Sequence, residues 1–363
     1  MLQRHGIKYF APGWFAVVMG TGGLANVLYK WQDSFSAGLN LGIILAALAD
    51  VLYFLMLVPW IIRWVSFFKY AQRDLHHPVT SNFFVTMPVA TIIVGTNISN
   101  IWSGYFGGPL TFMLITIAWM IGIVGVTFFT YYTTFRIMQI EVAPTPETTN
   151  FSWIMAPIAN MATLLLGNSV LKMSLNYQPT WSMSILITNL AMLGIGFFLF
   201  IFISAVIFVR LAQYPLPPAE LTPSFGILLS AVGLAVIAII DTANNANNLR
   251  ILASVDLAYL VAAVMWGFGI WVLGIIAMIC FYHIRRGGFP YGLGWWAFIF
   301  PLAAYTIASQ KIASIFSTPL TYWFCAFLTI LLILLWCYTF FYTVVGVLNG
   351  KLFMGRPIPK STQ

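Results

Sequence analysis

Apolar residues run along this chain in long blocks, broken at intervals by short polar or turn-forming stretches. A helix needs about 20 apolar residues to cross the hydrocarbon core of a bilayer. Ten blocks meet that need: roughly 9–30, 38–68, 82–104, 110–138, 152–174, 182–210, 222–242, 252–284, 293–314 and 320–350. The breaks carry charges and turn formers, such as Arg73-Asp74, Pro144-Thr145-Pro146, Pro215-Leu216-Pro217-Pro218 and Arg285-Arg286-Gly287-Gly288. The pattern predicts an all-α integral membrane protein with a single transmembrane domain over residues 1–363.

Composition excludes the other classes. Of the 363 residues 61% are hydrophobic and 7% charged, where a soluble protein carries roughly a quarter charged residues. Disorder needs few aromatics, and here 17% are aromatic. The net charge of +8 comes from only 16 Lys and Arg without a basic cluster, which speaks against nucleic acid. Cys280, Cys325 and Cys337 lie in apolar runs and read as small buried hydrophobes. Pro12-Gly13 interrupts what would be the apolar region of a signal peptide, so the first block is expected to be a retained span.

The loop charges orient the chain. Arg4, Lys8, Arg63, Lys69, Arg73, Arg136, Arg210, Arg285, Arg286, Lys351, Arg356 and Lys360 fall on one side. Lys30, Lys172, Arg250 and Lys311 fall on the other, which accounts for all 16. Basic residues concentrate on the cytoplasmic side of membrane proteins. Both termini are therefore expected to be cytoplasmic, as an even number of spans requires.

A fivefold pattern lies within the blocks. Each odd-numbered block has a proline near its cytoplasmic start: Pro12, Pro88, Pro157, Pro223 and Pro301, separated by 76, 69, 66 and 78 residues. The even blocks hold only Pro59 and are longer. This predicts five repeats of a helical hairpin, with odd helices kinked at proline in an inner ring and even helices in an outer belt. A proline that merely opens its helix is the competing reading, most of all for Pro223.

The helix face that carries each proline shows Gly20 in the first block and Thr91 and Gly95 in the third. It shows Asn160 and Asn168 in the fifth, Ser230 in the seventh, and Ala304 and Ala308 in the ninth. Small residues suit either close packing or an open lumen. The two asparagines favour a lumen, because polar groups in hydrocarbon need partners or water. Phe300 stands out as the only aromatic among the residues preceding the five prolines. Lys311 lies eleven residues farther on, within about 20° of the same face and about 16 Å along the helix. Lys172 sits at the matching end of the fifth block. If Phe300 faces a lumen, these lysines form a positive outer mouth that attracts anions. The bland alternatives are a core aromatic and lysines that snorkel to the interface.

Asp50 and Asp241 are the other charges at membrane depth. Asp241 could pair with Lys172 or Lys311, and Asp50 could relay protons or be a hydrogen-bonded structural carboxylate. The stretch from Asp241 to Asn248 reads as a polar outer loop. Histidines at metal or haem spacing, a phosphate loop and a Gly-x-Ser-x-Gly turn are all missing. An enzyme, a cofactor and a metal are therefore not expected.

Three motifs add a family. His77-Pro78-Val79-Thr80-Ser81-Asn82-Phe83-Phe84 followed by Pro88 resembles the His-Pro-x-x-x-Asn-Phe-Phe segment of the tellurite-resistance/dicarboxylate transporter family. Its branches include malate permeases, fungal sulfite exporters and plant slow-type anion channels. Trp295-Trp296 with Phe300-Pro301 is similar to that family's ninth helix, and Trp14-Phe15 with Met19-Gly20-Thr21-Gly22 to the first helix of the malate and sulfite branches. The resemblance implies a homotrimer with one pore per protomer and five hairpins in pseudo-fivefold arrangement. It implies that Phe300 plugs the pore and that Lys311 is the family's basic residue near the outer end of that helix. The chain lacks the long charged tails of the plant channels, which points to a prokaryotic plasma membrane. The expected activity is passive or proton-coupled anion transport, first for malate or related C4-dicarboxylates. The alternative is small inorganic anions such as chloride, nitrate, sulfite or tellurite. The odd blocks contain no arginine for bidentate carboxylate contacts, which weighs against malate. A membrane scaffold with a vestigial lumen is a third possibility.

Overall fold

A computed structural model of the chain describes residues 6–32, 35–139 and 149–353. Arg4, Arg356, Lys360, the Pro144-Thr145-Pro146 break and both termini lie outside the described residues. Within them the regular structure is helical. Ten helices of twelve or more residues carry it, beside a shorter one at Phe68–His76: α1 (Phe15–Tyr29), α2 (Ser36–Ser66), α3 (Thr86–Asn97), α4 (Gly108–Met138) and α5 (Met155–Tyr177) come first. They are followed by α6 (Ser182–Gln213), α7 (Gly226–Asn248), α8 (Asp256–Ile284), α9 (Trp296–Phe316) and α10 (Pro319–Leu348). Nine helical segments among the described residues are long and apolar enough to cross a bilayer. The protein is a multi-pass membrane protein. The fifteen residues of α1, rich in glycine, are not among those nine.

The odd helices have 12 to 23 residues and the even ones 29 to 32. A 3₁₀ turn leads into each odd helix: Pro12–Trp14, Thr80–Phe83, Phe151–Ile154, Ala219–Phe225 and Leu293–Trp295. Past its end, α3 continues through a π turn, Ile98–Trp102, and a last helical turn, Ser103–Phe106. The prolines occupy these starts. Pro12 opens its 3₁₀ turn, Pro223 lies within one, and Pro88 and Pro157 are third in their helices. The first four N–H groups of a helix have no intrahelical acceptor, so proline there sacrifices no hydrogen bond. Pro301 is different, being the sixth residue of α9.

Helix contacts separate two layers. Each odd helix packs against the next, from α1 to α3, α5, α7 and α9, and α9 returns to α1. Each even helix covers the seam between the odd helix before it and the one after, with α10 resting on α9 and α1. In the odd segments that qualify as spans, 67% to 89% of the most apolar window is buried, against 11% to 39% in the even ones. Close approach explains the small residues inside. A Cβ on Gly226 would lie 2.2 Å from the Ala297 carbonyl oxygen, and one on Gly233 would lie 2.6 Å from the Tyr305 nitrogen.

The region from Asp241 to Asn248 corrects the expectation of a loop, since it forms the last two turns of α7. Its amides find partners, which keeps the helix going past the apolar block: Asn245 Nδ2 donates to Asn168 O at 3.0 Å, and Asn244 Oδ1 accepts from the Tyr259 hydroxyl at 2.7 Å.

A candidate permeation pathway

Two cavities lie along the odd helices. The proximal one, about 820 Å³, opens where these helices begin, and the distal one, about 360 Å³, where they end. Phe300 is the one described residue that lines both, and its own exposure is 6%.

Each odd helix supplies a stripe of residues three or four apart, with one gap of seven between Ser230 and Ile237 of α7. On α1 the proximal cavity takes Ala16 and Met19, and the distal one Gly23, Asn26 and Lys30 just beyond the helix. From α3 come Thr86 and Val89, then Ile93, Thr96 and Asn100 of the π turn. From α5 come Ile158 and Ala162, then Leu165, Ser169 and Lys172. From α7 come Ile227 and Ser230, then Ile237, Asp241 and Asn244. On α9 Phe300 is followed by Ala304, Ile307 and Lys311. The proximal walls are mostly apolar, with Arg73, Asp74, Glu220 and Lys351 also contributing. The distal cavity is lined by three lysines, one aspartate and six asparagines.

The structure gathers some of the expected pore residues and disperses others. Phe300, Asn168, Ala304, Lys172 and Lys311 meet at the distal cavity, and Ser230 lines the proximal one with Pro12, Pro223 and Pro301. Gly20 instead faces α9, where a Cβ would lie 2.7 Å from the Trp296 ring, and Gly95 faces Leu166 and Ala118. Thr91 shares a hydrogen bond of 2.7 Å with Tyr53 of α2. Asn160 donates to Thr130 Oγ1 of α4 at 2.7 Å. Ala308 packs among Val236, Ile240 and Ile312. Pro88 and Pro157 line neither cavity. Helical geometry accounts for this split. Phe300, Ala304, Ile307 and Lys311 fall within about 40° of one line, whereas Ala308 is about 80° from Phe300. The cavity-lining stripe of α9 thus follows the aromatic, not the proline beside it.

The acids have specific partners. Asp241 Oδ1 accepts from Lys311 Nζ at 2.5 Å, one of the two pairings the sequence allowed. Asp50 accepts from Asn97 Nδ2 at 2.8 Å and Trp102 Nε1 at 2.7 Å. Asn97 in turn accepts from Asn26, which accepts from Asn100 of the distal cavity. Sequence reasoning singles out neither this amide chain nor the place of Lys30 in the distal cavity. The polar pair Asn26 and Lys30, four apart at the end of α1, is the available signal.

The sequence model of the SLAC1 voltage-dependent anion channel family matches residues 9–344. An uncharacterized transporter of Methanocaldococcus jannaschii is 30% identical over 353 residues, covering 96% of this chain and 97% of the relative. A sulfite efflux pump of Trichophyton rubrum is 27% identical, covering 96% of this chain and 93% of the pump. An S-type anion channel of Arabidopsis thaliana is 24% identical over 70% of this chain and 42% of the channel.

Proposed function

Because the chain belongs to the SLAC1 voltage-dependent anion channel family, the family its motifs resemble, we propose that it carries small anions through the axis of its five odd helices, past Phe300. The observation that carries this reading is the place of Phe300, the one described residue that lines both cavities. A ring across an apolar constriction stops ions by excluding water, and an ion passes when the ring swings aside. The walls near it are uncharged, so anions are not held there; the lysines beyond raise their local concentration at the mouth.

In this reading α1 is also a span, and the ten helices form five hairpins around a pseudo-fivefold axis. The contact order around the ring and the five 3₁₀ starts support that arrangement. The proximal cavity is cytoplasmic, as the basic bias of the loops suggests. The protein sits in a prokaryotic plasma membrane as a homotrimer with one pore per protomer. An archaeal relative matched over nearly its full length agrees with that source.

Among substrates, small inorganic anions fit better than malate. Two of the relatives are named for sulfite and for anions in general, and among the described residues no arginine lines the distal cavity to grip a carboxylate pair. A flux panel in proteoliposomes with chloride, nitrate, sulfite and malate at two pH values tests the reading. Phe300→Ala should raise basal flux several-fold. Unchanged or lower flux from folded Phe300→Ala protein would overturn the gate, and a wild type that moves none of the four anions would overturn transport.

A further inference from the structure

Beyond Asp241, α7 adds Asn244, Asn245 and Asn248 to the lining of the distal cavity. Toward its far end every odd helix or its extension contributes a polar or charged side chain: Lys30, Asn100, Lys172, Asp241 and Lys311. The repeat places them on one level. Each follows a residue of the proximal cavity at the height of Phe300 by ten or eleven positions: Met19, Val89, Ala162, Ser230 and Phe300 itself. At 1.5 Å per residue the ring therefore stands about 16 Å beyond Phe300. It carries three positive charges and a single negative one. Asp241 lies 2.5 Å from Lys311, both partly exposed to the cavity. Lys30 and Lys172 have no ion pair among the described residues.

We infer that Asp241 is a tethered competitor anion that sets the charge preference of the mouth, shifting it from divalent toward monovalent anions. The inference rests on the pore reading above. Asp241 occupies Lys311 whenever no permeating ion does. An incoming anion must then displace a carboxylate and enter beside a negative charge. That repulsion grows in proportion to the charge of the ion. A divalent ion such as sulfate or malate therefore suffers it twice, and nitrate or chloride once. Neutralising Asp241 multiplies affinity by some factor for a monovalent ion and by about the square of that factor for a divalent one.

The test is the half-saturating concentration for nitrate and for sulfate, measured at low ionic strength in liposomes. Wild type, Asp241→Asn, Lys311→Gln and the double variant are compared, with and without Phe300→Ala to secure measurable flux. Asp241→Asn should tighten nitrate about threefold and sulfate about tenfold, a difference that shrinks in high salt. Lys311→Gln should weaken both, sulfate more. The double variant restores the net charge of the wild-type ring and should return the sulfate-to-nitrate ratio to near its wild-type value. Flux intact with that ratio unchanged in Asp241→Asn would overturn the inference and leave the pore standing. If Asp241→Asn does not fold, a Lys311→Gln variant that weakens both ions equally would overturn it as well. Flux absent from every protein, the Phe300→Ala background included, would overturn the pore reading and the inference with it.

Discussion

Helices α7 and α8 follow one another in the chain and have the same mean hydropathy, 2.3 in their most apolar windows, yet 89% of the first window is buried and 11% of the second. In water, apolarity sorts residues between inside and outside. In lipid it cannot, because the solvent is as apolar as the core. What distinguishes the two helices is side-chain size and polarity. Along α7, Gly226 and Gly233 let α9 approach to backbone contact, and Asn245 reaches across to α5. Along α8, Leu257, Val264, Trp271 and Met278 stand exposed where acyl chains would lie. Only a narrow seam of α8, including Ala262, Gly269 and Val272, is buried.

Substitutions can break this contrast or sharpen it. The largest effect is expected for Gly233→Leu, whose Cβ would lie 2.6 Å from the nitrogen of Tyr305 and 2.7 Å from the carbonyl carbon of Ala304. Backbone cannot step aside, so a loss of about 3 kcal/mol or more should appear as failure to recover folded protein in detergent. Normal yield and unfolding temperature would mean that α7 does not pack as described. Asn245→Ala comes next. It removes the donor to Asn168 O and Oδ1, and a loss of about 1 kcal/mol, read as a lowered unfolding temperature, is the expectation. Gly274→Leu on α8 should do least. Nothing lies within 4 Å of the added Cβ, and stability should stay within about 0.5 kcal/mol. A strong loss there would mean that this face of α8 meets protein instead of lipid.

The layering was legible in the sequence because length, proline position and size of side chain all repeat. The odd blocks read as short and proline-bearing, and those are the helices the structure buries. The pathway was less legible because the prolines guided the choice of face. A proline at the start of a helix answers to the unpaired N–H groups there, which constrains its place along the axis and not its direction around it. Asn160 and Ala308 were selected that way and turn toward neighbouring helices. Phe300 is an outlier in size, and it is the one described residue that lines both cavities. The last turns of α7 escaped notice because four asparagines look like a loop until Asn168 and Tyr259 are seen to meet them. The π turn at Ile98–Trp102 has no local signature in the sequence. It brings Trp102 to Asp50 and Asn100 to Asn26, contacts made across helices.

The ring of odd helices closes between its first and last members, and this gives the protein a timetable. Trp336 of α10 donates to Thr21 of α1 across 315 residues, and Gln310 of α9 to the carbonyl of Val27 across 283. A ribosome adds about 5–20 residues per second, so α1 waits roughly a quarter of a minute to a minute for these neighbours. Throughout that interval the nascent chain is an open groove, with Gly20, Gly23 and Asn26 facing whatever lipid or insertion machinery is at hand. The ring around the two cavities closes only when the final pair of helices arrives. If the proposed pore is the conduit, an unfinished chain has no enclosed path through which to leak ions, and the cell is spared a half-built hole during every round of synthesis.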